Sequence, residues 1–503
     1  MSRDMSTDMA TNEERPLCKK ELNFFQKFYY YRTSLQFTTN VYVGAQYNVL
    51  PLLTDLYAAL AQLVAENPQL CLQAFTDKPS EVVEGKDFVP PESLYVAQLR
   101  KIDFTEVVEV HEDLDVFESC GMELLLSKKF AYGKDDKPLW KVFILKDNWL
   151  VFNYDHLFLD GISAPIFHEN LITSLEKREF NVKLENDCVY YPKKAETFGE
   201  FDMTEIYEKP QVNVSFLAKK VLPTVAKPVV INALNAIVDR YSLRPALIGT
   251  LYRYSCGSKY LVKRHNFYEN CLYINIPQSD ILRLIKVAKD CEKISLNSLI
   301  CSLLSIATKN ALITKEQSLK FCVDANCRGI KNVAADKMGL IIKTMDVVSP
   351  LLKNNLLTET GDLNLTEFWS FSLAIHKDLV CQIPTTDGID NINLLSLIDI
   401  LSYLNDKEGQ SPEFAFELSN LGLQFKDHAV TSQKSLDKKY AIKNAIFNQC
   451  IGITTCFTVS SIATPIGGMN LSIQYPQELS GEVENVIANF KAYVKLLVSL
   501  ADI

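Results

Sequence analysis

Apolar residues recur along this chain with two different periods. In LNFFQKFYYYRTSL, Leu22, Phe25, Phe28, Tyr29 and Leu35 fall near helical spacing and predict an amphipathic helix, and the strand-like FTTNVYVGAQY follows. LTDLYAALAQLVAENPQLCLQAF places Leu53, Leu56, Tyr57, Leu60, Leu63 and Val64 on one helical stripe, ended near Pro68, with a short strand expected from Gln69. Two apolar runs in residues 138–155, joined through Lys146, Asp147 and Asn148, predict a β-hairpin. Beyond Gly161, the residues Ile162, Ile166, Leu171, Ile172 and Leu175 return to helical spacing.

Residues 191–213 are charged and irregular, which predicts a linker between an N-terminal half over 21–190 and a C-terminal half over 214–503. The second half repeats the alternation. A strand at YINIP precedes two helices, the second with Ser295 as its cap. A strand and turn in SLKFCVDANCRG, a helix-rich region to about Ser402, a strand in FAFELSNLGLQF, a strand pair around IGITTCFTVSS and GGMNLSIQY, and a final helix complete it. Alternating helices and strands without short repeats predict an α/β sandwich of two halves.

Composition narrows the function classes. A net charge of -9 gives no basic face for displacing counterions from phosphates, so a nucleic-acid partner is not expected. The 13 cysteines lack a CxxC pair, which fits reduced thiols in a cytoplasmic setting better than a disulfide framework or a zinc site. Residues 1–20 are polar and acid-bearing, without the apolar core of a signal peptide, and are expected to form a disordered tail. No stretch is long and apolar enough to predict a membrane-spanning helix.

Chemistry concentrates in VFNYDHLFLDGIS. His156 follows an apolar strand, with Asp160 and Gly161 after three more apolar residues. A histidine there is either a satisfied core group or a base held rigidly at a sheet edge, and the local residues leave both readings open. The HxxxD spacing is weak by itself, and HEDLD repeats it at His111 and Asp115 in a polar stretch that predicts solvated surface. His156, Asp160 and His168 lack the helix-face spacing of zinc ligands, and GxSxG, Walker A and GxGxxG segments are absent. Direct attack on an activated acyl group is the remaining chemistry, with His156 taking the nucleophile's proton.

HLFLDG after a paired strand resembles the HxxxDG motif of the chloramphenicol acetyltransferase-like acyltransferases. ALAQLVAENPQL, PLWKVFIL, DANCRG followed by KMGLII, FELSNLGL and IATPIGGMNLSIQY agree in order, and together they resemble the fungal alcohol O-acetyltransferase family from about residue 20 to the end. The resemblance implies two similar sub-domains, each a mixed sheet with helices, and a channel between them where acyl-CoA and acceptor meet at His156. It implies His156 as general base in direct transfer, with acetyl-CoA as co-substrate and no permanently bound cofactor or metal. Asp160 of the same motif is carried over as a structural residue, with Arg328 its candidate partner and Gly161 shaping the turn. Ser419 and Asn420 are candidates to line the site or donate to the oxyanion, against the alternative of a strand-end turn. Asp155 stands where peptide-synthetase condensation domains carry a second histidine, and the DFGWG segment of plant acyltransferases is absent.

The acceptor implied is apolar with one nucleophilic head: a fusel alcohol or sterol first, a long-chain sphingoid amine second. A non-catalytic lipid-binding protein of the same fold is the alternative from another class. In the C-terminal helix, Val483, Val486, Ile487, Phe490, Tyr493, Val494, Leu497 and Leu500 form one apolar stripe, read as core packing or as an interfacial face for the endoplasmic reticulum or lipid droplets that the resembling family associates with. A basic mouth for CoA is expected; Lys219 and Lys220, Lys263 and Arg264, and Lys438 and Lys439 are candidates for it, each also readable as plain surface, and none is singled out.

Overall fold

The computed structural model describes residues 19–76, 88–177, 187–190, 207, 260–264, 270–309, 311–312, 317–429 and 439–501. The tail expected over residues 1–20 lies outside them except for Lys19 and Lys20. The linker expected over 191–213 does so except for Tyr207.

Two mixed sheets organise the described chain. The first has five strands in the order Ile442–Gln449, Val41–Tyr47, Trp149–Tyr154, Trp140–Leu145 and Val108–His111. Trp149–Tyr154 is central and buried at every position, so its continuous apolar run fits a strand covered on both faces. It pairs antiparallel with both neighbours, and the hairpin turn places Asp147 and Asn148 at φ 58° and 64°, a region that Asp and Asn tolerate. The buried helices Leu53–Glu66 and Ser163–Lys177 share the core of this sheet. His156 therefore lies two positions past a central strand and shortly before a packed helix.

The second sheet has six strands in the order Asn270–Ile276, Gly468–Tyr475, Thr455–Thr464, Phe414–Leu423, Lys320–Asn326 and Ile342–Val348. Phe414–Leu423 runs parallel to both its neighbours, and the remaining pairs are antiparallel. The helices Gln278–Glu292, Leu296–Ala307, Leu365–Gln382 and Ser480–Leu500 contribute to its core. The side chain of Ser295 accepts from the Ser298 N–H at the start of the second of these, as a capping serine does.

Two strands depart from the sequence reading. Ile342–Val348 falls within the region expected to be helix-rich, and its alternation is disguised because Lys343 occupies an inward position. The Lys343 ammonium is buried but donates to the carbonyls of Gln382, Ile383 and Thr385 at 3.0, 2.7 and 2.7 Å, capping the C-terminus of Leu365–Gln382. Ile442–Gln449 crosses from the C-terminal stretch into the first sheet, pairing antiparallel with Val41–Tyr47. Asn470 Nδ2 and Ser472 Oγ, from the second sheet, donate to its Ala445 and Phe447 carbonyls at 2.6 and 2.5 Å. This strand thus ties the two sheets together.

The apolar stripe of the final helix faces inward: Val483, Val486, Ile487, Phe490, Tyr493 and Leu497 are buried against the second sheet's core. That corrects the interfacial alternative for this stripe. Among the described residues, no helix is long and apolar enough to cross a membrane.

Candidate active site

The loop after Trp149–Tyr154 is pinned from three sides. Asp155, buried, accepts from the Leu157 N–H at 2.9 Å, the Tyr132 hydroxyl at 3.0 Å and the Thr33 hydroxyl at 3.2 Å. Burial pushes its carboxyl up to about 6. The next residue, His156, is half-buried and stacks on the ring of Tyr29, with centroids 4.5 Å apart and planes 11° from parallel. Its Nδ1 is buried and meets no partner in another residue, the favourable contact being with its own backbone. That leaves Nε2 for the cavity that His156 lines. Burial first, and the nearby Arg32 charge second, push the imidazole down to about 4, so at neutral pH it is an unprotonated base.

Asp160 does not touch His156 through its carboxylate. All its acceptor capacity is taken elsewhere: Arg328 Nη1 and Nη2 donate at 2.8 and 3.0 Å, Ser163 N–H and hydroxyl at 2.9 and 2.8 Å, and Ile341 N–H at 3.0 Å. The Asp160 N–H donates to the Gly339 carbonyl at 2.9 Å, and the Tyr154 hydroxyl donates to the Asp160 carbonyl at 2.9 Å. Arg328 also donates from Nε to the Lys337 carbonyl at 2.9 Å and from Nη1 to Asn326 Oδ1 at 3.2 Å. The DANCRG and KMGLII segments thus form a socket that clamps the motif's aspartate and fixes the loop carrying His156.

Gly161 serves this socket by closeness rather than by a left-handed turn. A Cβ there would approach Leu421 Cδ2 to 2.9 Å and Phe447 Cζ to 3.3 Å, whereas its φ lies outside the positive region. The turn expected at Gly161 is present, closed by the Ser163 N–H to the Asp160 carbonyl at 3.1 Å, and the absent side chain lets strands of both sheets approach it.

The cavity at His156 measures about 320 Å³ and is walled by both sheets and by the helix Phe24–Ser34. Phe25, Phe28, Ile392, Leu395 and Ile453 supply apolar wall, and Arg32, Asp324 and Glu417 supply charge-bearing groups. Asp324 and Glu417, on neighbouring parallel strands, share a hydrogen bond; Thr344 donates to Asp324 at 3.0 Å and Gln449 to Glu417 at 2.7 Å. Burial raises both carboxyls; the Asp324 charge and hydrogen bond raise Glu417 further, whereas the hydrogen bond from Glu417 favours ionised Asp324, so the pair retains a proton on Glu417. None of Tyr29, Arg32, Asp324 and Glu417 was a sequence candidate. The available signal was weak: acids inside otherwise apolar strands, FCVDA and FAFEL, whose facing only the sheet register reveals.

Ser419 and Asn420 do not line this cavity. Asn420 Nδ2 donates to Asn297 at 3.1 Å and its Oδ1 accepts from the Gly422 N–H at 2.9 Å, beside a break in strand register. Ser419 is buried opposite Ser460. The same strand instead presents Glu417. His168 is fully buried between the Tyr47 hydroxyl and the Val43 carbonyl, both at 3.1 Å. His111 is half-exposed 3.6 Å from Glu109, and Asp115 accepts from the Phe117 N–H at 2.9 Å, with no part in the cavity. Of the basic pairs, Lys219, Lys220 and Lys438 lie outside the described residues. Lys263 pairs with Glu478, Arg264 with Glu408 at 3.1 Å, and Lys439 lies over the Tyr440 ring.

The alcohol acetyltransferase family model matches residues 21–498. The chain is 25% identical to N-acetyltransferase SLI1 of Saccharomyces cerevisiae over 501 residues, covering 95% of this chain and 99% of that protein. Among solved structures, the trichothecene 15-O-acetyltransferase TRI3 of Fusarium sporotrichioides superposes with a TM-score of 0.64 at 11% identity, covering 94% of this chain and 95% of that one. The epimerization domain of tyrocidine synthetase B superposes with a TM-score of 0.57 at 12% identity, covering 96% and 98%. At such identities the structures speak to fold alone, a two-lobed chloramphenicol acetyltransferase-like architecture.

Proposed function

The chain belongs to the alcohol acetyltransferase family and is an acyltransferase, and from that premise we propose that it moves an acetyl group from acetyl-CoA directly to the polar head of an apolar acceptor, with His156 as general base. The observation that carries this reading is the His156 ring itself: one nitrogen is shut in, the other is left to a cavity between two sheets, and the imidazole is neutral at physiological pH. Nε2 accepts the proton as the acceptor attacks the thioester carbonyl, and returns it to the departing CoA thiolate. Asp160 and Arg328 hold the loop and take no part in the proton transfer.

The Asp324–Glu417 pair moves an amine head ahead of a hydroxyl. Two carboxyls held together in a buried wall attract an ammonium head and take up the proton it must lose before its nitrogen has a lone pair to attack with, leaving His156 the second proton, whereas a hydroxyl offers only hydrogen bonds. The full-length similarity to a protein named as an N-acetyltransferase supports the same choice. Ester formation on an alcohol is the second reading, supported by the family's description.

Peripheral contact with the endoplasmic reticulum or a lipid droplet from the cytoplasm suits such acceptors. Val380, Ile383, Leu397 and Ile398 are exposed on the segment whose Ile392 and Leu395 line the cavity. The decisive experiment follows CoA thiol release from acetyl-CoA with a primary amine and an alcohol of identical long alkyl chain. Release with the amine, giving an amide and lost in His156→Ala, is the expected result. Release with the alcohol alone would install the second reading. Absence of release with either, from folded protein, would remove these two acceptor classes and leave lipid binding without turnover.

A further inference from the structure

The helix Phe24–Ser34 touches the His156 loop at two points. Thr33 binds Asp155, and Tyr29 lies face to face with the imidazole. Asn23 caps this helix by accepting from the Phe25 and Gln26 N–H groups, while Gln26 returns a bond to the Asn23 N–H, so its start is fixed. Tyr29 and Arg32, three residues apart, share one helix face. The Arg32 guanidinium carbon lies 4.6 Å from the centre of the Tyr29 ring, within cation–π range, and Arg32 lines the same cavity as His156. Arg32 Nε is buried and has no hydrogen-bond partner among the described residues.

We propose that Tyr29 and Arg32 are positioning residues for His156: the Tyr29 ring fixes the plane of the imidazole, and the Arg32 guanidinium, anchored on that ring, sets the charge against which the imidazole works. This inference rests on His156 being the base.

The charge balance around the ring gives the device its direction. Arg32, from the helix, disfavours a second positive charge on the imidazole. Asp160, on the loop, favours it, but that carboxylate is engaged by Arg328. Asp155 adjoins it on the same loop, and the second sheet contributes Asp324 and Glu417 to the cavity, where Arg32 draws on both carboxyls. Arg32 therefore acts on both the base and the acidic pair across one cavity, favouring the charged carboxyls and disfavouring a proton on His156. The same charge opposes the imidazolium that forms during transfer. A weaker base that is always unprotonated is the result.

The test reads the ring directly. The full chain carrying [13Cε1]histidine is titrated by NMR between pH 3 and 8, a range that spans the His156 midpoint at about 4, with the His156 signal assigned by its loss in His156→Ala. Wild-type His156 is expected to stay neutral throughout most of this range. In Arg32→Met its midpoint rises by about half a pH unit or more, whereas Arg32→Lys, keeping the charge, holds it down. Tyr29→Leu raises the midpoint by letting water reach the ring, and Tyr29→Phe, keeping the stack, does not. A wild-type His156 titration in both Arg32→Met and Tyr29→Leu overturns the proposal. Retained acyl transfer in His156→Ala would instead overturn the base assignment, whatever the spectra show, so the two failures are separable.

Discussion

His156 and His168 sit twelve residues apart in sequence, and both imidazoles are pushed down to about 4 chiefly by burial. Their surroundings otherwise differ. His168 lies inside the helix Ser163–Lys177, fully buried, with each ring nitrogen bonded to a fixed partner. His156 has one nitrogen enclosed, the other left to a cavity, and an aromatic ring holding its plane. A lowered proton affinity is shared by a structural and a chemical histidine. What separates them is an unsatisfied nitrogen with space in front of it, since a base must have somewhere to take a proton from.

The largest break in this comparison comes from exchanging the fates of the two residues. His156→Ala is expected to lower acyl transfer by about 10²- to 10⁴-fold with little loss of melting temperature, the range that removal of a general base covers. His168→Ala should do the reverse. It leaves the Tyr47 hydroxyl and the Val43 carbonyl without their partner in the core, costing about 1–3 kcal/mol in denaturant unfolding, while the folded fraction keeps its turnover. Loss of turnover in folded His168→Ala equal to that in His156→Ala would erase the distinction.

The next effect tests the socket rather than the ring. Asp160 and Arg328 are a bidentate pair, almost wholly enclosed, with side chains 0% and 2% exposed. Arg328→Met strands a carboxylate and is expected to cost about 3–5 kcal/mol. If Asp160 instead acted on the imidazole, Asp160→Asn would change the His156 titration strongly without a comparable loss of stability. Paired chemical denaturation and histidine NMR on that variant distinguish the two roles.

How much of this was open to reading from the chain depends on distance in space. The hairpin ending at Tyr154, the helix after Gly161 and the capping serine at Ser295 follow from local periodicity and local hydrogen-bonding rules. The contact between Asp160 and Arg328 was suggested only by the ordered resemblance of HLFLDG and DANCRG, because nothing local links residues so far apart. Arg32 falls in the amphipathic helix and Asp324 and Glu417 in strands that the sequence predicts, with nothing local to mark a role for them. Their meeting in one cavity depends on strand register, which sequence periodicity does not encode. Ser419 and Asn420 illustrate the same dependence: they lie on the strand that reaches the cavity, but the cavity takes Glu417 from it.

The carboxyl pair offers a third, smaller test. Glu417→Gln and Asp324→Asn each remove one ionisable oxygen while keeping shape. Against a long-chain amine they are expected to raise KM by roughly tenfold, about the 1.4 kcal/mol of one charge-assisted contact, and to leave transfer to a matched alcohol nearly unchanged. Equal effects on both acceptors would assign the pair to cavity architecture instead of head recognition.

The smallest expected difference is thermodynamic and returns to the two histidines. Each folded-state value, about 4, lies below the unfolded value near 6.5, so the unfolded chain binds more protons between those limits. Stability contributed by either ring is then fully present above about pH 6.5 and declines as the pH falls toward 4. Asp155, raised to about 6, acts with the opposite sign over roughly pH 4–6, because its folded form holds the proton more tightly. The net acid loss, the two rings less Asp155, should therefore come to about 4 kcal/mol at most and be steepest at about pH 5.5–6. His168→Gln, which cannot take up the proton in the unfolded chain, is expected to flatten the decline in melting temperature across this window. His156→Gln is expected to flatten it by a comparable amount, since both rings share a folded-state value of about 4. A markedly smaller effect of His156→Gln would mean that water entering through the cavity already stabilises the imidazolium, so that the base works with a proton affinity nearer that of a free imidazole than its burial implies.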